Sequence, residues 1–385
     1  MAILAIDASN LNRGGGVTHI CEILKDVEIE RTPFDAVYIY GSEALLDKIG
    51  DYVWLRKRTH NLLNGSMIKR LVYLSFIFKR HLVKDGVDIL FAPGGLYLGS
   101  FRPFVTMSRN MLVFEKSEAD RYGFSKIRLR LWLLFILQKW TFNRASKVIF
   151  LSNYARNYIE SLRGVNIRKS EIIHHGVSGR FANTAFKSRE IKEFDHKNPF
   201  RIVYVSILDV YKHQFSLIKA VAQLRIKGYP VELVLVGGEY SPYGQKVKDL
   251  ISTFDQEFVT LTGEIPYSEI ANWYSEANLF VFASSCENMP NILLEAMSSG
   301  IPIACSNRGP MPEFLKDAGV YFDPENANEM TECIENLILD SQKRLLLTQM
   351  ALFYAKDYSW ESCAEQTFKL LKEVIIEKKQ IPSDK

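Results

Sequence analysis

Residues 279–305, LFVFASSCENMPNILLEAMSSGIPIAC, constrain the fold of this 385-residue chain more than any other stretch. Residues 279–283 are apolar, too few for a helix, and end in the small polar turn Ser284, Ser285, Cys286. They read as a buried strand. Asn288 is a residue type that caps helices and Pro290 suits a first turn, so a helix is predicted over 291–299, closed by Gly300. Residues 301–305 are short and apolar and read as the next strand. Strand, helix and strand make one unit of a parallel sheet, and ligands bind outside the carboxyl ends of such strands.

Two carboxylates mark that end. Glu287 lies in the loop after the first strand, and Glu295 lies on the helix four residues after Asn291. The helix is otherwise mostly apolar (Ile292, Leu293, Leu294, Ala296, Met297), so an ionised Glu295 is costly there unless something bonds it. A sugar diol does so, one hydroxyl to each oxygen. The amides at the helix start, around Met289 to Ile292, are donors at the positive end of the helix dipole and suit a phosphate; Pro290 takes away one donor, Asn291 adds a side chain, and Asn288 stands beside them. The stretch therefore describes a pocket for a sugar and a diphosphate.

Glu-x7-Glu alone is common by chance. Here the second acid stands in Leu-Glu-Ala-Met, followed by Gly-Ile-Pro at 300–302 and Gly-Pro-Met-Pro-Glu at 309–313. In this setting the pattern resembles the signature of retaining nucleotide-sugar glycosyltransferases of family 4. The resemblance covers the whole chain in outline and is specific in the second half. It implies an α/β fold of GT-B architecture: two Rossmann-like doubly wound parallel-sheet domains facing a cleft, with a C-terminal helix crossing back to the first.

Composition fits and narrows the choice. Length allows two domains, and 47% hydrophobic with 24% charged residues describes a globular chain. A net charge of +4 does not point to nucleic acid, and no nucleic-acid motif is present. Five scattered cysteines form neither a zinc pattern nor a disulfide framework, which favours a reducing cytoplasm. The start MAILAIDASN reads as a first strand, not a signal peptide, and no run approaches the roughly 18 apolar residues of a spanning helix.

Strands alternating with helices run through both halves. The first domain is expected over 1–185, with strands at 2–8, 37–40, 87–92, 104–107 and 147–151. The charged, non-periodic segment 186–199 reads as a linker. The second domain, over 200–357, has further strands at 201–206, 231–236 and 258–262, and a helix at 267–277. The last helix starts near Tyr358 and runs to about 376, within a closing segment 358–385 whose polar end from 377 is expected to fray.

The resemblance then assigns roles. The glycine turn after the first strand matches one that faces the cleft, and Gly15 and Gly16 carry it. The usual cleft histidine is missing, and Arg109 or Asn110 stands in its place. Asn110 can bond a sugar hydroxyl but cannot act as a base. Lys212 matches a lysine that neutralises the diphosphate, and is expected to begin a helix so that charge and dipole act together. The companion arginine is absent, leaving Lys212 aided by Arg308. Residues 263–267 match a loop that holds the base by its backbone, with Gly263 in it. His174 and His175 replace a Pro-Asn pair. They point to opposite sides of an extended chain and read as structural.

The expected reaction is glycosyl transfer with retention. Glu295 holds the ribose, Glu287 the donor sugar, and Lys212 with the helix-start amides the leaving diphosphate. There is no Asp-x-Asp, so neither a metal nor any other cofactor is expected beyond the nucleotide-sugar donor. Segments 66–84 and 125–147 are basic and rich in apolar and aromatic residues. The second carries Lys126, Arg128, Arg130, Lys139, Arg144 and Lys147 with no acid between. Such a helix suits an anionic membrane, where an oligosaccharide or polyprenyl-linked acceptor of surface-polysaccharide assembly would be met, at the inner face of the cytoplasmic membrane. Core helices with solvated basic edges are the other reading of these segments. Two rival functions stand beside the transferase: a nucleotide-sugar 2-epimerase on the same plan, and a non-catalytic nucleotide-sugar-binding scaffold.

Overall fold

The computed structural model describes residues 2–11, 14–25, 27, 29, 32–182, 188–239, 242–254 and 257–380. Met1, part of the glycine-rich turn expected over 10–16 (Asn12, Arg13), Glu28 at the end of a helix expected from Val17, the start of the expected linker (Phe186, Lys187) and the tail residues 381–385 lie outside them. The chain divides into two compact units. The first comprises Met1–Phe114, Phe124–Gly176 and Ser359–Lys385, the second Glu115–Gly123 and Val177–Tyr358.

In the first unit the described strands are β1 (Ala2–Asp7), β2 (Phe34–Tyr40), β3 (Leu55–Arg58), β4 (Ile89–Ala92), β5 (Phe104–Met107), β6 (Lys147–Phe150) and β7 (Ser170–Ile172). They pair in parallel in the order β3-β2-β1-β4-β5-β6-β7. Strands β4, β5 and β6 are buried along their whole length, as a sheet covered on both faces requires. The chain runs outward from β1 to β3 and returns to β4 beside β1, so the order reverses between β1 and β4. The last helix, Trp360–Gln380, belongs to this unit: Phe368 meets Phe34 edge-on, and Glu373 pairs with the buried Lys147 at 2.8 Å.

The second unit repeats the plan with β8 (Phe200–Val205), β9 (Val231–Val236), β10 (Val259–Leu261), β11 (Leu279–Phe282), β12 (Ile303–Ser306) and β13 (Val320–Phe322). The parallel order is β10-β9-β8-β11-β12-β13, reversing between β8 and β11. Segment 188–199, expected as linker, packs within this unit. Ser188 donates to the Ser341 carbonyl at 2.7 Å, and the buried Arg344 guanidinium donates to the Arg189 carbonyl.

Strands β3, β7 and β13 have no counterpart in the sequence reading, and each is a sheet edge. Edge strands are short and face water on one side, so the apolar run that betrays a central strand is missing. Leu55–Arg58 is Leu-Arg-Lys-Arg. The expected helix at 267–277 is a 3-10 turn, Tyr267–Glu269, followed by Ile270–Ser275.

Candidate active site

Loops after β8 and β11 flank the point where the second sheet reverses, the position at which doubly wound sheets bind ligands. Lys212 comes from the first loop and Glu287 from the second, and Lys212 Nζ bonds Glu287 Oε1. Lys212 is 5% exposed. Its ammonium sits 4.8 Å from the centre of the Tyr211 ring, and Tyr204 donates its hydroxyl to the Lys212 carbonyl at 3.1 Å. Burial disfavours the charge on Lys212. The Glu287 carboxylate and the Tyr204 hydroxyl more than offset that, so its pKa lies above the ordinary lysine value.

The expected helix start at Lys212 is corrected. Val210–Lys212 is a 3-10 turn capped by Asp209, and His213 is left-handed (φ 52°) before the helix Gln214–Ile226 begins. The left-handed residue turns the chain sharply, so Lys212 lies outside the helix. The helix after β11 starts where expected and ends one residue earlier. It is Asn291–Ser298, preceded by Pro290, whose carbonyl accepts from Leu293 at 2.9 Å. Asn288 is buried two residues before that cap position.

Glu295 is 5% exposed on this helix. Tyr267 donates to its Oε1 at 2.9 Å and Tyr274 to its Oε2 at 3.4 Å. Burial pushes the carboxyl up to about 7, against these hydrogen bonds and the nearby Arg180 charge. Arg180 lies over the Tyr267 ring at 4.9 Å. Two phenol hydroxyls on one carboxylate are the arrangement that a vicinal diol would also satisfy.

Gly263 (φ 71°) lies in the loop after β10 and its carbonyl accepts from Gly237 at 3.1 Å. Gly237 (φ 143°) passes so close to β8 that a Cβ would lie 2.2 Å from the Ser206 oxygen. Arg308 follows β12. Its guanidinium is bonded to both oxygens of Asp323, at 3.0 and 3.1 Å, with Glu325 at 3.7 Å.

Residues 115–123 belong to this unit, and nothing in the sequence announces it. Ser285 donates to Glu118 Oε2 at 2.6 Å beside the Glu287 loop, and Arg121 joins Glu118 to Glu325. Glu118 is 167 positions from Ser285, and neither segment carries a pattern that pairs them.

In the first unit, Gly15 and Gly16 open the helix Gly15–Lys25 directly after β1. Asn110 is exposed, and its side-chain oxygen accepts from Leu112 at 3.0 Å, capping its own short turn. The neighbouring Arg109 turns inward instead and donates to Nδ1 of the fully buried His19 at 3.3 Å. His19 stacks on His175 at 4.7 Å, and Trp360 covers His175 at 5.3 Å. His19 lies on the apolar face of its helix, where a sequence offers no reason to single it out.

A family model described as "Glycosyltransferase Family 4" matches residues 14–179, and one described as "Glycosyl transferases group 1" matches 186–351. The chain belongs to family 4 of the glycosyltransferases. The O-antigen chain mannosyltransferase B of Escherichia coli is 34% identical over 115 residues, 30% of this chain and 30% of that protein. The first curated relatives are matched over less than two thirds of their own length. Among solved structures, a sucrose-phosphate synthase from Thermosynechococcus elongatus shares the fold with a TM-score of 0.77 at 18% identity, over 98% of this chain and 100% of that one. HepE of Anabaena, solved in complex with UDP, has a TM-score of 0.69 at 20% identity, over 97% and 100%.

Glu287 and Glu295 are thus both on the second unit but are not equivalent. Glu287 is balanced by Lys212, whereas Glu295 is held by neutral tyrosines and has a raised pKa.

Proposed function

We propose that this family-4 chain transfers a sugar from a nucleoside-diphosphate sugar to a lipid-linked oligosaccharide, with retention of anomeric configuration. The observation that carries the reading is the placement of Lys212, Glu287 and Glu295 around the reversal point between β8 and β11. Glu295 takes the ribose diol in place of the tyrosine hydroxyls. Lys212 leaves Glu287 for the diphosphate, and Glu287, released, accepts hydroxyls of the donor sugar. Amides at the start of Asn291–Ser298 add to the charge stabilisation of the leaving group. Asn110 has its oxygen engaged and offers its NH2 to a sugar hydroxyl. Arg308 acts on the diphosphate only by exchanging Asp323 for it.

The bond from the anomeric carbon to the phosphate oxygen breaks. The bond to the acceptor oxygen forms on the same face, and the acceptor proton passes to the leaving phosphate. Lys212 supplies the neutralising charge, so the reading needs no divalent cation.

The helix Lys126–Arg144 supports the proposed acceptor class. Leu129, Trp132, Leu133, Ile136 and Trp140 form an exposed stripe at helical spacing, opposite the buried Leu131, Gln138, Thr141 and Phe142. Lys126 and Arg130 are exposed beside it. The basic segment 66–84 meets the same neighbour: Tyr97 packs on Phe78 and bonds Thr141. An apolar ridge edged by cations supports contact with an anionic lipid surface at the cytoplasmic face of a membrane. No helix among the described residues is long and apolar enough to cross one.

Incubation with a panel of labelled nucleotide sugars and a polyprenyl-linked acceptor, with and without EDTA, tests the reaction. An axial or equatorial linkage matching the donor, read by NMR, supports retention, and the inverted linkage refutes it. A new nucleotide sugar formed without acceptor identifies the epimerase instead.

A further inference from the structure

We infer that a hollow at the amino ends of β5, β6 and β7 is a phosphate-binding pocket built from Arg102, Arg144, Arg168 and Lys378. Arg102 stands just ahead of β5, Arg144 ahead of β6 and Arg168 ahead of β7. Doubly wound sheets bind their usual ligands at the other, carboxyl ends of their strands, so the pocket is an additional site and stands apart from the transferase reading. Its volume is about 630 Å³, within the range of ligand pockets, roughly 300–1,000 Å³. Lys169 also lines it, and among the described residues lining it the acid is Glu377. That carboxylate is already taken, 2.9 Å from Lys169 Nζ and 3.9 Å from Lys147 Nζ. No carboxylate acts on Arg102 or Arg144; the other group facing both is the neutral Tyr97 phenol. Burial, then the charges of Arg144 and Arg168, push Arg102 down to about 10. Crowded cations without an acid are costly, and an anion relieves them.

The cations are held in place by neutral groups. The Arg102 guanidinium lies over the Phe104 ring at 4.3 Å and donates to the Phe101 carbonyl at 2.7 Å. Arg144 lies over Trp140 at 3.7 Å and donates to the Gly99 carbonyl at 3.3 Å. Its Nη1 is buried and has no partner among the described residues. Lys378 donates to the Arg102 carbonyl at 3.4 Å. Rings and carbonyls fix these side chains without a full opposite charge, and each guanidinium keeps N–H donors to spare. The fork of an arginine matches two oxygens of one phosphate. Trp140, under Arg144, is also the last residue of the exposed stripe on the helix Lys126–Arg144. The phosphate can therefore be that of a lipid headgroup or of a soluble phosphate ester.

The test is calorimetric titration of the full chain with inorganic diphosphate, for wild type and for Arg102→Gln with Arg144→Gln. Diphosphate also suits Lys212 on the second unit, so the readout is the binding that differs between the two proteins. The double variant is expected to weaken that binding about tenfold. Lys126→Gln with Arg130→Gln removes as much charge toward the start of the same helix, roughly 20 Å or more from Arg144, and should leave the affinity unchanged. Equal affinities in wild type and the pocket variant overturn the pocket. So does an equal loss in the distant variant, which would make the effect one of diffuse charge. Should the pocket variant not fold, Arg168→Gln with Lys378→Gln, both exposed, carries the test: about threefold weaker binding is expected, and full affinity overturns the proposal. Flotation with phosphatidylcholine vesicles, with and without phosphatidylglycerol, then separates the two sources. Flotation lost in the variant that lost diphosphate binding assigns the pocket to a lipid headgroup, and unchanged flotation in it assigns the pocket to a soluble phosphate ester.

Discussion

At the carboxyl ends of its strands the second unit presents cations already matched: Lys212 to Glu287, Arg121 to Glu118 and Glu325, Arg308 to Asp323. The first unit has the same parallel-sheet plan and presents Arg109 against a neutral imidazole. The contrast separates two ways of building a polar site. A matched site is stable when empty and must exchange partners to bind, so its acids and bases are released together. Arg109 carries a desolvation cost that no carboxylate among the described residues offsets.

The largest expected effect tests the matched pair. Lys212→Ala leaves Glu287 without its cation and should cost about 3–5 kcal/mol of stability, read by urea unfolding. Replacing both, Lys212→Met with Glu287→Leu, should recover most of that stability and none of the activity. Recovered activity would mean that the pair is structural only.

Next come two glycines, one in each unit. Gly176→Ala in the first unit would place a Cβ 2.0 Å from the Trp360 nitrogen, and is expected to cost about 3 kcal/mol. Gly263→Ala in the second meets no atom within 4 Å and strains only its left-handed backbone (φ 71°), for about 1 kcal/mol. Thermal unfolding of both variants separates steric from conformational demand, and equal costs would contradict the geometry.

Glu295 gives the pH dependence. Its folded value of about 7 lies above the ordinary 4.5, so the folded protein keeps a proton that the unfolded chain has lost. Stability should therefore fall as pH rises from about 4.5 to 7 and level off above, with the fall absent in Glu295→Gln. Ribose hydroxyls donate best to the ionised form, so nucleotide affinity should rise about tenfold between pH 6 and 8 in wild type and stay flat in Glu295→Gln. A pH-independent wild-type affinity would remove Glu295 from the ribose.

The smallest effect on stability belongs to the exposed ridge. Trp132→Ser with Trp140→Ser should change unfolding by about 0.5 kcal/mol or less, because both rings face solvent. The same variant should lose flotation with vesicles containing anionic lipid. Unchanged flotation would reject the ridge as a membrane contact.

What the sequence disclosed follows the same division. Central strands such as β5 and β9 are mostly apolar and were readable to the residue, 104–107 and 231–236. The Glu287–Glu295 unit was readable because its chemistry is local: strand, loop acid, helix acid and capping Gly300 lie within 22 residues of each other. Contacts made across the chain were not readable. Glu118 reaches Ser285, Tyr267 reaches Glu295, and Arg109 reaches His19 across 90 positions. A charged or polar residue on a loop looks the same in sequence whether it meets water or a buried partner. That is why Asn110 and Arg109 could not be told apart until their neighbours were known.

The central claim is that the second unit holds a nucleoside diphosphate through Glu295. The most direct measurement is a thermal-shift panel of UDP, GDP, ADP and dTDP, each with and without EDTA, on wild type and Glu295→Ala. A ligand at 100 times its dissociation constant adds about 2.7 kcal/mol of stability. The account predicts that one nucleotide stabilises wild type by that order, indifferent to EDTA, and leaves Glu295→Ala unmoved. Stabilisation of both proteins alike, or of neither by any nucleotide, would contradict it.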